Sequence, residues 1–366
     1  MEFLPLTAEN NAAFADLFQR EKGQVRAHQM PAYATWSFMA QPFARPDIPV
    51  VEMAWEDGRA IGAMGAIPQI FLTGQQEIPG AFFVDWLVEA QQRRRNIGSQ
   101  LILRATARFP VSAHMGSTPA GYATCATLGA RDCGRTVTAR RILKPWNWSK
   151  GASRNDPFTR LAWSVSQEVR ALTRPGLGAR PGSSLRPVTP QEIDSQLCTF
   201  SRALAQTHVC TLRSGPRWHW LLNAPLYQGQ AYEVSRGGAV IGYAALVIAR
   251  RGGRRIGSVA DLCVAQIDHA IPVLRAAITE LTRHEVDGIT FTISEEIATP
   301  VIADMGFEQQ SSPMMGTWLH DGYDFTLARP WFMTMAENLS VTGGLDVPGQ
   351  QGSGDAGVDG RGTSDS

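Results

Sequence analysis

Three consecutive arginines, Arg93, Arg94 and Arg95, followed by Asn96, Ile97, Gly98 and Ser99, are the residues of this chain best suited to hold a phosphorylated ligand. The apolar run before them, Phe82 to Val88, reads as a buried strand. The run after them, with Leu101, Ile102 and Ala105 at helical spacing, reads as a helix. A strand that ends in a basic turn opening a helix offers free first-turn N–H groups and the positive end of the helix dipole to an anion. Arginine adds charge-assisted hydrogen bonds to phosphate. Asn96 tolerates a left-handed backbone better than most residues, and Gly98 lets backbone approach a ligand closely.

The elements that must position this turn belong to a chain of 366 residues, a length that suggests two domains. The net charge of +1 gives no reason to expect nucleic acid or an acidic membrane surface as partner. No apolar run approaches a membrane span, and the first residues lack the basic start and apolar core of a signal peptide. Five scattered cysteines, Cys125, Cys133, Cys198, Cys210 and Cys263, have neither metal-ligand spacing nor a paired number. The expectation is a cytoplasmic protein with reduced thiols and no metal.

Five landmarks recur in the same order. Thr7 recurs as Thr189, Trp36 as Trp218, Gly58-x-x-Ile61-Gly62 as Gly238-x-x-Ile241-Gly242, Asp85-x-x-Val88 as Asp261-x-x-Val264, and Leu128-Gly129 as Met305-Gly306. Their offsets are 182, 182, 180, 176 and 177 residues. A nearly constant offset predicts two similar α/β units in tandem. The second copy lacks the arginines and the glycine after its Asp-x-x-Val strand and carries Asp268, which repels phosphate. The division expected is residues 1–145, a linker with a helix over 146–185, a degenerate second unit over 186–341, and a disordered Gly/Ser/Asp-rich tail over 342–366. Trp331 and Phe332 read as a final strand closing a sheet.

Arg93-x-x-Asn96-x-Gly98 after a strand ending in Val88 resembles the acyl-CoA loop of the GNAT N-acetyltransferase superfamily, with Asn96 standing where that pattern has its first Gly. The resemblance covers about residues 1–145 and 186–330 and implies an α/β fold of the α+β type. Each of two tandem units would hold a mixed, mostly antiparallel central sheet flanked by helices. It implies acetyl-CoA, or another acyl-CoA, as co-substrate, with Leu87 and Val88 along the acyl-pantetheine arm. The pyrophosphate would lie on the loop from Arg93 to Ser99, including Arg94, Arg95, Asn96, Ile97 and Gly98. The acceptor implied is a small-molecule amine.

Acyl transfer also needs a base for the amine and an acid for the thiolate. Asp85 and Glu89 are the carboxylates on or beside the central strand, and strict alternation puts Asp85 and Leu87 on one face, with Val84, Trp86 and Val88 on the other. The superfamily often has a Tyr four residues before its Gly-Phe. Here that position is Cys125, a packed core thiol by the usual fate of free cysteine, and Tyr122 one turn earlier is the available replacement. His114 lies near where the acyl group would sit. Trp36 and Phe38, with His28 and Tyr33, read as an aromatic core or as an acceptor wall. A non-catalytic acyl-CoA or metabolite sensor is the alternative function, and a Fem-like aminoacyltransferase a weaker one.

Overall fold

A computed structural model describes residues 1–23, 29–150, 165–166, 182–311, 314–319 and 329–338. His28, most of the helix expected in the linker, the Gly/Pro stretch after it and the tail from residue 342 lie outside the described residues.

Fourteen strands among the described residues form one mixed, mostly antiparallel sheet flanked by helices. The strands are β1 (Glu2–Pro5), β2 (Val51–Glu56), β3 (Arg59–Thr73), β4 (Gln76–Val88), β5 (Val111–Met115), β6 (Arg131–Ile142) and β7 (Ser183–Val188). They continue with β8 (Cys210–Thr211), β9 (Gln228–Arg236), β10 (Ala239–Arg251), β11 (Arg254–Cys263), β12 (Gly288–Ser294), β13 (Glu308–Ser311) and β14 (Met314–Leu319). The main path runs β1-β2-β3-β4-β5-β14-β6-β12-β11-β10-β9-β7, with β8 on β3 and β13 on β6. The helices that bear on the site are α1 (Asn11–Lys22), α2 (Pro31–Ala34) continued by a π-helical turn (Thr35–Met39), α3 (Ile97–Thr106) and α4 (Pro119–Thr127). After α5 (Pro145–Lys150), the later part of the chain adds α6 (Asp194–Leu204), α7 (Gly215–Leu222), α8 (Ala270–Thr282) and α9 (Glu295–Met305).

Local chemistry explains the recurring landmarks. Asp57 and Gly58 sit at φ 50° and 74°, and Gly237 and Gly238 at 58° and 82°, the positive angles that a two-residue hairpin turn demands. Gly62 lets Ile97 and Leu101 of α3 lie on β3, since a Cβ there would meet both at 3.3 Å. Gly242 does the same for α8, where Val273 would meet it at 2.8 Å. Gly129 and Gly306 end α4 and α9 in the left-handed conformation. At each end the next N–H reaches back five residues, Ala130 to Cys125 at 2.9 Å and Phe307 to Ile302 at 3.1 Å.

Both halves contain one parallel strand pair, and in both the pair parts early. β4 and β5 pair from Gly80↔Val111 to Phe83↔His114, after which β4 continues to Val88 on β3 alone. β11 and β12 pair from Ile256↔Gly288 to Val259↔Phe291, and β11 continues to Cys263 on β10. The halves also exchange strands. β6 lies against β12, and β14, from the far end of the chain, lies between β5 and β6.

The second parting is filled by buried charge. Asp261 accepts from Arg213 at 3.2 Å, from the Trp218 indole at 2.9 Å and from the Thr334 hydroxyl at 2.8 Å. Arg213 also donates to Glu337 at 2.7 Å, and Thr334 bridges to Ile293 of β12. Residues 331–338 therefore run as isolated bridges and a 3-10 turn between the ends of β11 and β12, with Trp331 and Phe332 buried. This corrects the expectation of a closing strand there: backbone bonds to Val209 and Ser294 form only single bridges, and the Arg213–Glu337 ion pair and the Thr334 hydroxyl fix the rest.

Removing the cation from this cluster strands two carboxylates in the core. Arg213→Met is expected to cost about 3–5 kcal/mol, the usual penalty for orphaning a buried charge. Urea unfolding of the two proteins measures it, and a loss under roughly 1 kcal/mol would contradict the buried network.

Candidate functional site

The first parting stays open. Opposite Met64 of β3, strand β4 carries an extra residue, and the register slips between Ala63↔Leu87 and Gly65↔Val84. Asp85 sits in this bulge at φ 54°, a left-handed conformation that costs a non-glycine residue some strain. The bulge resets the alternation. Phe83, Trp86 and Val88 pack on the α3 side, while Val84 and Leu87 pack on the α1 side against Phe14 and Phe38. Strict alternation had put Val84 with Trp86, and the inserted residue is the reason it fails.

Beyond the bulge a cleft of about 630 Å³ opens between the end of β4, the turn into α3 and the first turn of α4. Of the loop and strand-end residues expected to bind acyl-CoA, it gathers Leu87, Val88, Arg93, Arg94, Asn96, Ile97, Gly98 and Ser99, with Lys22, Trp86, Thr118 and Gly121 among its other walls. Arg95, Asp85, Glu89 and Tyr122 are not among the lining residues.

The turn has the shape that its sequence allows. Asn96 lies at φ 64° at the N-cap of α3, and its side chain makes no capping bond. The first-turn N–H groups of α3, which have no acceptor within a helix, thus face the cleft uncapped. Arg94 is also left-handed, at φ 67°. Gly98 packs on Trp86, where a Cβ would meet the indole at 3.1 Å, and Gly121 packs on its other edge at 3.3 Å. Trp86 is thus the floor between the two helix starts.

The three arginines do different work. Arg95 forks onto Glu56 with both contacts at 2.7 Å. Arg93 approaches Glu21 at 3.6 Å and donates to the Val88 carbonyl at 3.3 Å. Among the described residues, Arg94 has no carboxylate partner. The Glu21 carboxylate also accepts from the Ala90 N–H at 2.9 Å, which pins the end of α1 to the turn and brings Lys22 to the rim.

The proton-transfer candidates are dispersed. Asp85 accepts from the buried Gln29 amide at 2.6 Å, on the α1/α2 side of the bulge. Glu89 is buried under two arginines, with Arg59 at 2.6 Å and Arg20 at 3.5 Å. Tyr122 leans on the His114 ring at 5.6 Å, and burial together with a hydrogen bond to Asp132 pushes its phenol up to about 12. Cys125 is buried, and desolvation raises its thiol to about 11. His114, the last residue of β5 paired with β4, is 4% exposed, and burial lowers its imidazole to about 4. Its Nδ1 lies 2.9 Å from the Ser117 hydroxyl. Trp36 stacks on Trp220 at 5.2 Å, and each indole N–H donates to the other's carbonyl, while Phe38 is fully buried. These aromatics are core and clasp.

The molecule superposes over most of its length on solved acyltransferases. A GCN5-related N-acetyltransferase from Anabaena variabilis matches with a TM-score of 0.55 and 14% identity, over 86% of this chain and 72% of that one. N-myristoyltransferase of Saccharomyces cerevisiae with bound myristoyl-CoA matches at 0.58 and 11% identity, over 87% and 82%. A GCN5-related N-acetyltransferase from Kribbella flavida matches at 0.55 and 13%, over 87% and 71%.

The chain has the GNAT fold.

No family model matches the sequence, and no curated protein matches it either. In this GNAT fold three features of the site escaped the sequence reading: the second left-handed residue Arg94, the Glu21 brace, and Gln29 on Asp85. Arg94 carries a legible signal, since it stands two residues before Asn96 in a turn that needs positive φ. Glu21 and Gln29 act across long sequence separations and left none. Among the described residues no group of three or more His, Cys, Asp or Glu side chains is placed to hold a metal, and no helix is long and apolar enough to cross a membrane.

His114 makes the stability of this region pH-dependent. The folded imidazole titrates near 4 and the unfolded one near 6.5, so the unfolded chain binds more protons between those values. The stability it contributes is present above pH 6.5 and lost as pH falls toward 4, by about 3 kcal/mol in all. Urea unfolding between pH 4 and 7 should show that slope, and His114→Gln should reduce it.

Proposed function

We propose that this protein is an acyl-CoA-dependent N-acyltransferase, moving acetyl from acetyl-CoA to a primary amine of a small molecule or sugar. One observation carries the reading: a single cleft unites the freed end of β4, an uncapped helix start and an unneutralised arginine. A pyrophosphate on the first turn of α3 would meet backbone N–H groups, the dipole and Arg94 together. The arm would then lie along Val88 and Leu87, whose backbone no longer pairs with β5.

In the transfer the amine nitrogen attacks the thioester carbonyl carbon, the carbon–sulfur bond breaks, and the amine proton leaves. Asp85 lies outside the CoA cleft, on the α1/α2 side of the bulge, and is the base we favour for an amine that enters from that side. Tyr122 keeps its proton at neutral pH and is the donor we favour for the departing thiolate. Glu89 braces α1 and β3 through Arg20 and Arg59, and we assign it that positioning role. In this account the second half, whose corresponding loop carries Asp268 and no arginine, binds no CoA.

A sensor that binds acyl-CoA without turnover uses the same cleft, and Cys125 in place of the usual Tyr favours it. Calorimetry separates binding from its absence. Acetyl-CoA should bind wild type in the micromolar range, and an Arg94→Glu/Gly98→Glu variant should bind about 100-fold more weakly or not at all. A wild type that ignores acetyl-CoA would end the acyltransferase reading. In an amine-acceptor screen, Asp85→Asn should lower kcat by roughly 10²–10⁴ with KM for acetyl-CoA unchanged. Binding without any turnover would favour the sensor.

A further inference from the structure

We propose that an aromatic cluster of Trp318, His114 and Tyr122, standing behind the residues that line the inner end of the cleft, blocks its extension and restricts the acyl group to a short chain. The inference rests on the acyl-CoA reading above. It makes β14, contributed by the far end of the chain, the element that sets acyl selectivity in the first half.

The direction of the ligand follows from where its phosphates go. With the phosphates on Asn96–Ser99, the arm runs back along the strand end from Val88 toward the point where β4 and β5 part. The floor there is Trp86, and the far wall is the first turn of α4. Immediately beyond stand Phe83 and His114, the last paired residues.

The rings at that point form a continuous chain of tilted contacts. Phe83 meets Trp318 at 5.6 Å, Trp318 meets His114 at 5.3 Å, and His114 meets Tyr122 at 5.6 Å. Trp318 is anchored by its indole N–H on the Leu128 carbonyl at 3.1 Å, and His114 by Ser117. Gly316, two residues before Trp318, is what admits the imidazole, because a Cβ on it would fall within the His114 ring's contact distance. Behind the rings Ala81, Ile102 and Ala113 are at most 1% exposed. On the opposite face Val84 presses on Gly65, where a Cβ would meet it at 3.0 Å, and Phe38 seals the other side. The two rings nearest the parting, His114 and Trp318, are themselves only 4% and 7% exposed, so they are packed in where a longer alkyl chain would have to pass.

A buried methylene is worth about 0.8 kcal/mol, or roughly fourfold in affinity, and a chain that stays in water gains none of it. The 366-residue chain is therefore titrated with CoA and with acetyl-, butyryl-, hexanoyl- and octanoyl-CoA, alongside Trp318→Ala. Wild-type affinity should stay within about threefold from acetyl to octanoyl, whereas Trp318→Ala should gain about fourfold per methylene over the first few added carbons. Trp318→Leu serves if circular dichroism shows that the alanine variant does not fold.

A wild-type affinity that climbs with chain length overturns the proposal by revealing an interior channel. A folded Trp318 variant with a flat series overturns it too, by removing Trp318 as the block. Failure of CoA itself to bind brings down the acyl-CoA reading and this inference together. CoA binding with a climbing series brings down this inference alone.

Discussion

Everything at the site depends on β4 giving up its partner. Up to Phe83 the strand is hydrogen-bonded on both sides, and from Val84 onward it has only β3. A lone ladder on one edge leaves backbone groups to be satisfied by something else, which in a folded protein is side chain, water or ligand. The bulge at Asp85 enforces the separation by bending and re-aiming the strand. Three consequences follow in space: Trp86 turns onto the α3 side as a floor, the strand end faces the uncapped start of α3, and Asp85 faces the α1/α2 side.

The second half shows what happens when the same opening is used otherwise. β11 also leaves its parallel partner, but the gap receives Thr334 and Glu337 of the segment 331–338, with Arg213 locked on Asp261. A cation fixed there by two carboxylates has no charge left for an anion. Asp85 and Asp261 thus occupy matching positions in the sequence pattern with opposite surroundings, one beside an open cleft and one in a sealed ionic core. The exchanged strands tie these fates together, since β14 stands behind the first opening while β6 flanks β12.

Much of the fold was legible because it rests on local chemistry. Hairpin turns need positive φ, and Asp57-Gly58 and Gly237-Gly238 announce them. Helix ends need a left-handed residue, and Gly129 and Gly306 mark them. Gly62 and Gly242 stood out only as repeat landmarks, and that their missing Cβ admits α3 and α8 to the sheet is seen in the structure alone. The turn from Arg93 to Ser99 was legible for the same reason, down to the left-handed Asn96. What the sequence hid is what depends on distant partners or on a one-residue insertion. Nothing in the stretch around Asp85 signals a bulge, so the face assignment of Val84 failed. Neither the Glu21 brace nor the burial of Glu89 under Arg20 and Arg59 leaves a periodic trace. The exchange of β6 and β14 is a matter of which edge each strand finds, and the strand patterns alone are indifferent to it.

The central claim is that acyl-CoA lies across the freed end of β4 with its phosphates on α3. Amide hydrogen exchange with and without CoA tests it most directly, because ligand contact protects the backbone it covers. The account predicts added protection at residues 96–100 and 118–124 and none at 264–272, the corresponding turn of the second half. Protection confined to 264–272, or no change at either place while CoA binds, would contradict it.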